Sequence, residues 1–208
     1  MSPAKKSLMP DQIVAAAIRL LDRDGADAFT MRRLGAELGV DPMAVYYHLS
    51  NKASVFDAVV DAIWARTALE TAAHGASWRA IAGDIARALR RELRAHPRLV
   101  PILATRPAVT PNLLRLTDQA LGRLTEGGLT PVSAMQLLDC LVGYTVGKVQ
   151  QEVREPIGGV GTPPEEVYGA ITQETHPNLA AAMAGGYDWD PDGEFESGLQ
   201  ALIDGWRE

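Results

Sequence analysis

Apolar residues recur along this chain at intervals of three and four, the spacing of one helix face, and no convincing strand alternation appears. From about Pro10 to Asp24, Ile13, Ala17, Leu20 and Leu21 share a face, and Gly25 stops the run. Thr30 to Leu49, TMRRLGAELGVDPMAVYYHL, reads as two short helices around a tight turn. Thr30 caps the first, Leu34 and Leu38 sit four apart on it, and Gly39 ends it with a residue free to take positive φ. Val40 plugs the turn, Asp41 caps the second helix and Pro42 fits its first position. Val45 and Leu49 supply the second helix's apolar stripe, and Gly35 leaves room for the two helices to approach. Packed on the first helix, this hairpin makes a three-helix unit of the helix-turn-helix kind, whose second helix enters a DNA major groove.

A long helix follows, capped by Ser50 or Asn51 and running to Thr71 or Ala73, with Val55, Phe56, Val59, Val60, Ile63 and Trp64 apolar. It is longer than a three-helix head needs, so it is expected to cross into a second domain as a rigid connector. After a break at 73–76, Ser77 caps a helix to Ala95 bearing Trp78, Ile81, Ile85, Leu89 and Leu93. Pro97, Pro101 and Pro107 leave at most one short helix behind it. Thr110-Pro111 opens another helix with Leu113, Leu114, Ala120, Leu121 and Leu124, closed by Gly127-Gly128. Thr130-Pro131 starts the most hydrophobic helix, which continues to Glu155, is halted by Pro156, and spans about 35–40 Å. Its stripe of Met135, Leu138, Val142, Val146, Val149 and Val153 is widened by Leu137, Leu141 and Tyr144, and two apolar faces imply two neighbours, one of them outside the domain. Residues 157–190 are loop-rich with one helical piece near Leu179 to Ala184, and Asp190-Pro191 opens a last helix with Phe195, Leu199, Leu202, Ile203 and Trp206. The fold class expected is all-α: an N-terminal three-helix head joined through a long connector helix to a larger helical domain.

Composition sharpens this only in places. The chain of 208 residues, 47% hydrophobic and 22% charged, suits a globular protein with a sizeable core. No apolar run reaches membrane-spanning length and MSPAKKSLMP lacks a signal-peptide core, so a cytoplasmic protein with no membrane partner is expected. Cys140, the single cysteine, excludes an intrachain disulfide and reads as a buried structural thiol. Net charge is −6, and from Met1 to Ala73 eight Lys/Arg face nine Asp/Glu, a balance of −1, so the head is not basic overall. Arg32, Arg33 and Lys52 nonetheless flank the reading helix, with Lys5 and Lys6 in the tail, which predicts modest and salt-dependent affinity for random DNA. Arg87, Arg90, Arg91 and Arg94 read as a solvated face near their helix's negative end rather than a nucleic-acid patch.

With Leu34, Leu38, Val40, Val45 and Leu49 buried, Arg32, Arg33, Met43, Ala44, Tyr46, Tyr47 and His48 face outward. Phenols, an imidazole and guanidiniums donate hydrogen bonds to phosphates and base edges, and Tyr-Tyr-His on a solvent face is costly without a partner. A helical hairpin inside an ordinary core is the alternative. Helix-turn-helix proteins usually read two half-sites as dimers. The two-faced helix 131–155 and the final helix 191–206 are the candidates for the dimer surface, pairing as a four-helix bundle, unless all of it is buried within one chain. Gly143 and Gly147 either permit close helix approach there or make room for Trp side chains. Enzyme signatures are missing: His48, His74, His96 and His176 are scattered, and Gly158-Gly159-Val160-Gly161 lacks the Lys-Ser/Thr of a phosphate loop. No Gly-x-Ser-x-Gly elbow occurs. No catalytic residue and no cofactor are expected.

TMRRLGAELGV…VYYHLSNK, with its Tyr-aromatic-His and Asn-Lys ending, resembles the signature of the tetracycline-repressor (TetR) family of bacterial regulators over about residues 10 to 70. Trp78, the Thr105-Arg106-Pro107 loop, Gln119 and the long hydrophobic helix followed by a variable loop are similar to that family's regulatory domain. The resemblance implies a homodimer on a palindromic double-stranded DNA operator, released when a small-molecule effector binds. It divides the chain into a flexible tail (1–9), a DNA-binding domain with its connector (10–73) and a ligand-binding and dimerisation domain (74–208). Carried over position by position, Arg32 is the base reader, a bidentate fork for guanine, and Pro42, Met43 and Ala44 form the tip of the reading helix, suited to thymine methyls. Thr30, Tyr46, Tyr47, His48 and Lys52 grip phosphates. In the regulatory domain, Thr67 stands where the tetracycline repressor has a histidine, Ile85 and Leu89 replace its pocket asparagine and phenylalanine, and Ile102 its metal-binding histidine; Thr105 and Gln119 keep their types. A magnesium–tetracycline chelate needs oxygen and imidazole ligands that such a pocket lacks. The expectation is therefore a largely apolar ligand without metal, held by Leu89, Ile102, Met135 and Tyr144 and oriented by Thr105 and Gln119. A DNA-binding regulator without an inducer, or a helical adaptor that binds no DNA, are the rival readings.

Overall fold

The computed structural model describes residues 8–68, 76–106, 109–153 and 164–207, and every regular element among them is helical. The head is built from α1 (Pro10–Asp24), α2 (Met31–Leu38) and α3 (Pro42–His48), and α4 (Lys52–Ala68) leaves it. Its helix ends are set locally. The Thr30 hydroxyl accepts from the Arg33 amide at 3.2 Å, the Asp41 carboxylate from the Met43 amide at 2.8 Å, and the Asn51 side chain from the Ser54 amide at 2.8 Å. Gly39 ends α2 in the left-handed region (φ 68, ψ 30). A Cβ on Gly35 would lie 3.1 Å from the Pro42 backbone and the Val40 carbonyl, so α3 starts directly against the α2 backbone.

The head's core is not closed by three helices. Ile13, Leu20 and Leu21 of α1, with Leu34 and Val45, pack on Val55, Val59 and Ile63 of α4. Phe29 meets Phe56 edge-on at 5.2 Å between ring centres. Leu99 and Ile102, from far along the chain, complete the same cluster.

The remaining elements are α5 (Trp78–Ala95), a 3-10 turn (Pro97–Leu99), α6 (Val100–Thr105), α7 (Pro111–Glu126), α8 (Pro131–Val153), α9 (Pro164–Gly169), α10 (Pro177–Ala184) and α11 (Pro191–Gly205). Pro101 sits in the first turn of α6, where a missing N–H costs nothing, so 97–105 stays helical. A second core joins Trp78, Ile81 and Ile85 of α5 to Leu137, Leu138 and Leu141 of α8 and Phe195, Leu199 and Ile203 of α11. Leu89, Leu93, Val100 and Val149 form a third. α10 buries none of its residues, and Val167, Tyr168, Leu179, Tyr187 and Trp189 around it stand exposed.

Two expectations change here, on Cys140 and on Arg90. On α8, Leu137, Leu138, Leu141 and Val149 are buried within its own chain, whereas Val132 and Met135 stay exposed, as do Gln136, Cys140, Gly143 and Gly147. Cys140 is thus an exposed thiol and not a buried one, because the helical phase that turns Leu137 and Leu141 inward turns it out. Within the chain α8 meets α11 closely at Gly198, where a Cβ would run into the Tyr144 hydroxyl and ring, whereas among the described residues Cβ atoms on Gly143 and Gly147 would meet nothing within 4 Å outside their own helix. Finally, Arg90 is no solvated cation: it is 8% exposed, lies 4.5 Å over the Phe195 ring, and bonds Glu152 at 2.9 Å and Asp192 at 2.7 Å. Arg87 pairs with Glu196 at 2.8 Å and Arg94 with Asp192 at 2.6 Å, so this arginine row fastens α11 to α5.

Several expectations fall outside the described residues: positions 1–7 of the tail with Lys5 and Lys6, the connector's end beyond Ala68 and the boundary at 73/74, His74, Pro107, Glu155, Pro156 and Gly158–Gly161. Among the described residues no helix is long and apolar enough to cross a membrane.

Candidate nucleic-acid interface and cavity

The outer surface of α2 and α3 carries an unusual set of side chains for water to face. Tyr47 is 88% and Met43 70% exposed, Tyr46, His48, Thr30 and Arg32 are also exposed, and Pro42 and Ala44 are half-buried at the start of α3. Arg32 has no hydrogen-bond or ion-pair partner among the described residues, so its five donors are available. Arg33 differs: it is held by Asp24 at 2.6 Å and the Ala28 carbonyl at 3.0 Å and stiffens the α1–α2 corner. Lys52 is also committed, donating to the Ala26 carbonyl at 2.8 Å and the Phe29 carbonyl at 3.1 Å in the α1–α2 loop. The hydrogen bond from Arg23 holds the Asp24 carboxyl below its ordinary range, keeping this corner ionic.

Some residues behind this face lie on two bodies at once. α4 buries Val55, Phe56, Val59 and Ile63 in the head, while its last turns put Trp64 and Thr67 into the wall of a cavity of about 700 Å³. Ile85 of α5, Leu113 and Leu116 of α7, and Met135, Leu138 and Val142 of α8 complete the apolar lining. Thr67 is 6% exposed and its hydroxyl donates to the Trp64 carbonyl at 2.7 Å, leaving lone pairs to accept. Gln119, also in the lining, accepts from Arg115 at 3.1 Å.

Of the expected pocket residues, Thr67, Ile85, Gln119 and Met135 meet around this cavity, and Leu89, Ile102, Thr105 and Tyr144 stand outside its lining. Leu89 packs with Leu93, Val100 and Val149, and Ile102 belongs to the head's core. Thr105 is exposed, its hydroxyl bonded to the Pro101 carbonyl at 2.7 Å. Tyr144 donates to the Phe195 carbonyl at 2.9 Å and stacks on its ring, and burial pushes its phenol up. Sequence reasoning missed Trp64, Leu113, Leu116, Leu138 and Val142 as lining. The available signal was phase: 113, 116, 117 and 120 share the face of α7 opposite 135, 138 and 142 of α8. Among the described residues the lining contains no histidine, and no cluster of His, Cys, Asp and Glu could hold a metal ion.

Polar ties link the helices beside the cavity to the head. Arg106, just after α6, grips Asp57 of α4 at 2.7 and 2.8 Å and the Ala53 carbonyl at 3.2 Å. The Thr110 hydroxyl, capping α7, bonds Asp61 one turn along. His96, at the end of α5, joins Asp22 of α1 at 2.8 Å through Nδ1 and Arg66 of α4 at 3.0 Å through Nε2. Because a guanidinium only donates, Nε2 accepts there and Nδ1 carries the proton toward Asp22.

Residues 13–59 match the model of the bacterial regulatory proteins of the tetR family, and residues 71–208 that of the tetracyclin repressor-like C-terminal domain. The chain is 31% identical to an HTH-type transcriptional regulator of Saccharopolyspora erythraea, covering 98% of this chain and 86% of that one. It is 31% identical to the class A tetracycline repressor of transposon 1721 in Escherichia coli, over 95% of this chain and 90% of that one. Among solved structures, ActR of Streptomyces coelicolor in complex with actinorhodin superposes with a TM-score of 0.79 at 29% identity, covering 96% of each chain.

Proposed function

From the premise that this chain belongs to the tetracycline-repressor (TetR) family, we infer that it is a homodimeric repressor that binds a DNA operator and responds to a small molecule. A regulator of this kind works where the genome lies, which assigns it to the cytoplasm, and the family is one of regulators rather than enzymes. Residues 10–73 act as the DNA-binding domain with its connector, behind a short tail at 1–9, and 74–208 as the ligand-binding and dimerisation domain.

The DNA face we assign is Thr30, Arg32, Pro42, Met43, Ala44, Tyr46, Tyr47, His48 and Lys52. Arg32 reads a guanine edge; Tyr47 and His48 meet phosphates, and Lys52 braces the start of α4 against the α1–α2 loop while adding positive charge. Small exposed residues on α8 (Cys140, Gly143, Gly147) and α11 (Ser197, Ala201, Gly205) fit a four-helix contact between two copies. The exposed apolar side chains of 167–189 give each copy a further reach toward the other.

The observation that carries the reading is that one helix, α4, is both a wall of the cavity and part of the head's core. A ligand pressing on Trp64 and Thr67 shifts α4, and the Arg106–Asp57 and Thr110–Asp61 ties hold it to the helices that flank the ligand. Half-sites lie about 34–36 Å apart, so a tilt of a few ångströms denies the dimer simultaneous grip. The ligand must favour the off-operator form, or no population shifts. The test is selection of bound fragments from the source genome, followed by anisotropy titration of the double variant Arg32→Ala, Tyr47→Ala. Operator binding is expected to disappear while sedimentation still reports the dimer; persistence of specific binding overturns the assignment.

A further inference from the structure

The cavity's exposed rim is acidic. Among the described residues its lining carries the exposed Asp118 and Glu126 from α7 and Asp139 from α8 against one guanidinium, Arg123, and no lysine. Among the described residues none of the three carboxylates is paired with a cation. Asp118 and Glu126 are two turns apart, about 12 Å along α7, which spreads negative charge over the length of a drug-sized molecule. Beneath them the wall is apolar and includes an indole, Trp64.

Resting on the reading of this cavity as the effector site, we propose that the effector is a lipophilic cation: an extended apolar or aromatic body bearing an amine or quaternary nitrogen. An anionic molecule entering here meets like charge, and its acid finds few donors, since Arg115 already serves Gln119 and Asn112. A neutral apolar molecule fills the floor but strips water from carboxylates it cannot pair. A cation satisfies both parts, its body against Ile85, Leu116 and Leu138 and its charge among Asp118, Glu126 and Asp139, and the same pocket offers an aromatic face of the kind that binds organic ammonium groups.

Three dyes of similar size separate the cases in fluorescence titrations of the full-length dimer: rhodamine 6G (cation), fluorescein (anion on the same ring system) and Nile red (neutral). Rhodamine 6G is expected to bind at least about tenfold more tightly than the other two. It is also expected to release operator DNA, and the double variant Glu126→Gln, Asp139→Asn to weaken it about tenfold while affecting Nile red far less. Equal or tighter binding of fluorescein or Nile red, or undiminished rhodamine 6G binding by that variant, overturns the cation class and leaves the effector site standing. The site itself is tested by Gly122→Trp, whose Cβ meets nothing within 4 Å and whose ring enters the cavity mouth. If none of the dyes binds, or if this substitution leaves every affinity as it was, the site has been misplaced and the cation class falls with it.

Discussion

A methyl group added at Gly35 would meet the Pro42 Cα and N and the Val40 carbonyl at 3.1 Å, all main-chain atoms of the turn that aims α3. Alanine gains about 1 kcal/mol in helix propensity over glycine, against about 1–3 kcal/mol for overpacking. With backbone on three sides the steric cost prevails, and Gly35→Ala is expected to lose about 1–2 kcal/mol in urea denaturation; an unchanged midpoint would mean that the α2–α3 turn is looser than drawn. Such positions were legible from sequence because their causes are local: Thr30, Asp41 and Gly39 do their work within three residues of themselves. Arg90 and Ile102 were not, since their surroundings come from residues far along the chain, Glu152 and Asp192 for one and the α1 and α4 side chains for the other.

Among the elements, α11 is held to α5 and α8 by ion pairs as well as by its apolar side. The hydrogen bond from Lys148 holds the Glu194 carboxyl below its ordinary 4.5, that from Arg90 holds Asp192 below 3.8, and that from Arg87 holds Glu196 below 4.5. A depressed carboxylate contributes its full stability above its ordinary value and loses it as pH falls through the lower, folded-state value. The melting temperature is therefore expected to hold steady from about pH 8 to pH 5 and to fall in more acid solution. Calorimetry of the double variant Glu194→Gln, Glu196→Gln should give a shallower acid decline than the parent, and parallel curves would show that α11 is held by its apolar side alone. Element boundaries were readable wherever a cap or proline marked them, as at Ser77, Pro111 and Pro131. The two stripes of α8 are ambiguous for a physical reason: periodicity reports that a face is covered, not which chain covers it. In the cavity the same ambiguity left Leu113 and Leu116 indistinguishable from ordinary core.

For the whole molecule, the assignment of the dimer contact to α8 and α11 rests on small residues with open space before them. Gly147→Trp adds a ring where, among the described residues, no atom from outside its own helix lies within 4 Å of the Cβ, so each copy is expected to keep its fold. Sedimentation at micromolar concentration is expected to show a monomer, and operator affinity to drop by about a hundredfold or more as two linked heads become one. A dimer that survives the substitution locates the contact elsewhere.

The double membership of α4 also limits how this protein can be rebuilt. A biosensor designer who grafts a foreign sensing half onto this reading half cannot splice between Val55 and Thr67, because any cut there leaves one partner without its rod and the other without a wall. Hybrids have to inherit that rod whole, together with the seats that Leu99 and Ile102 take against it, so a change of inducer and a change of operator draw on a shared set of side chains.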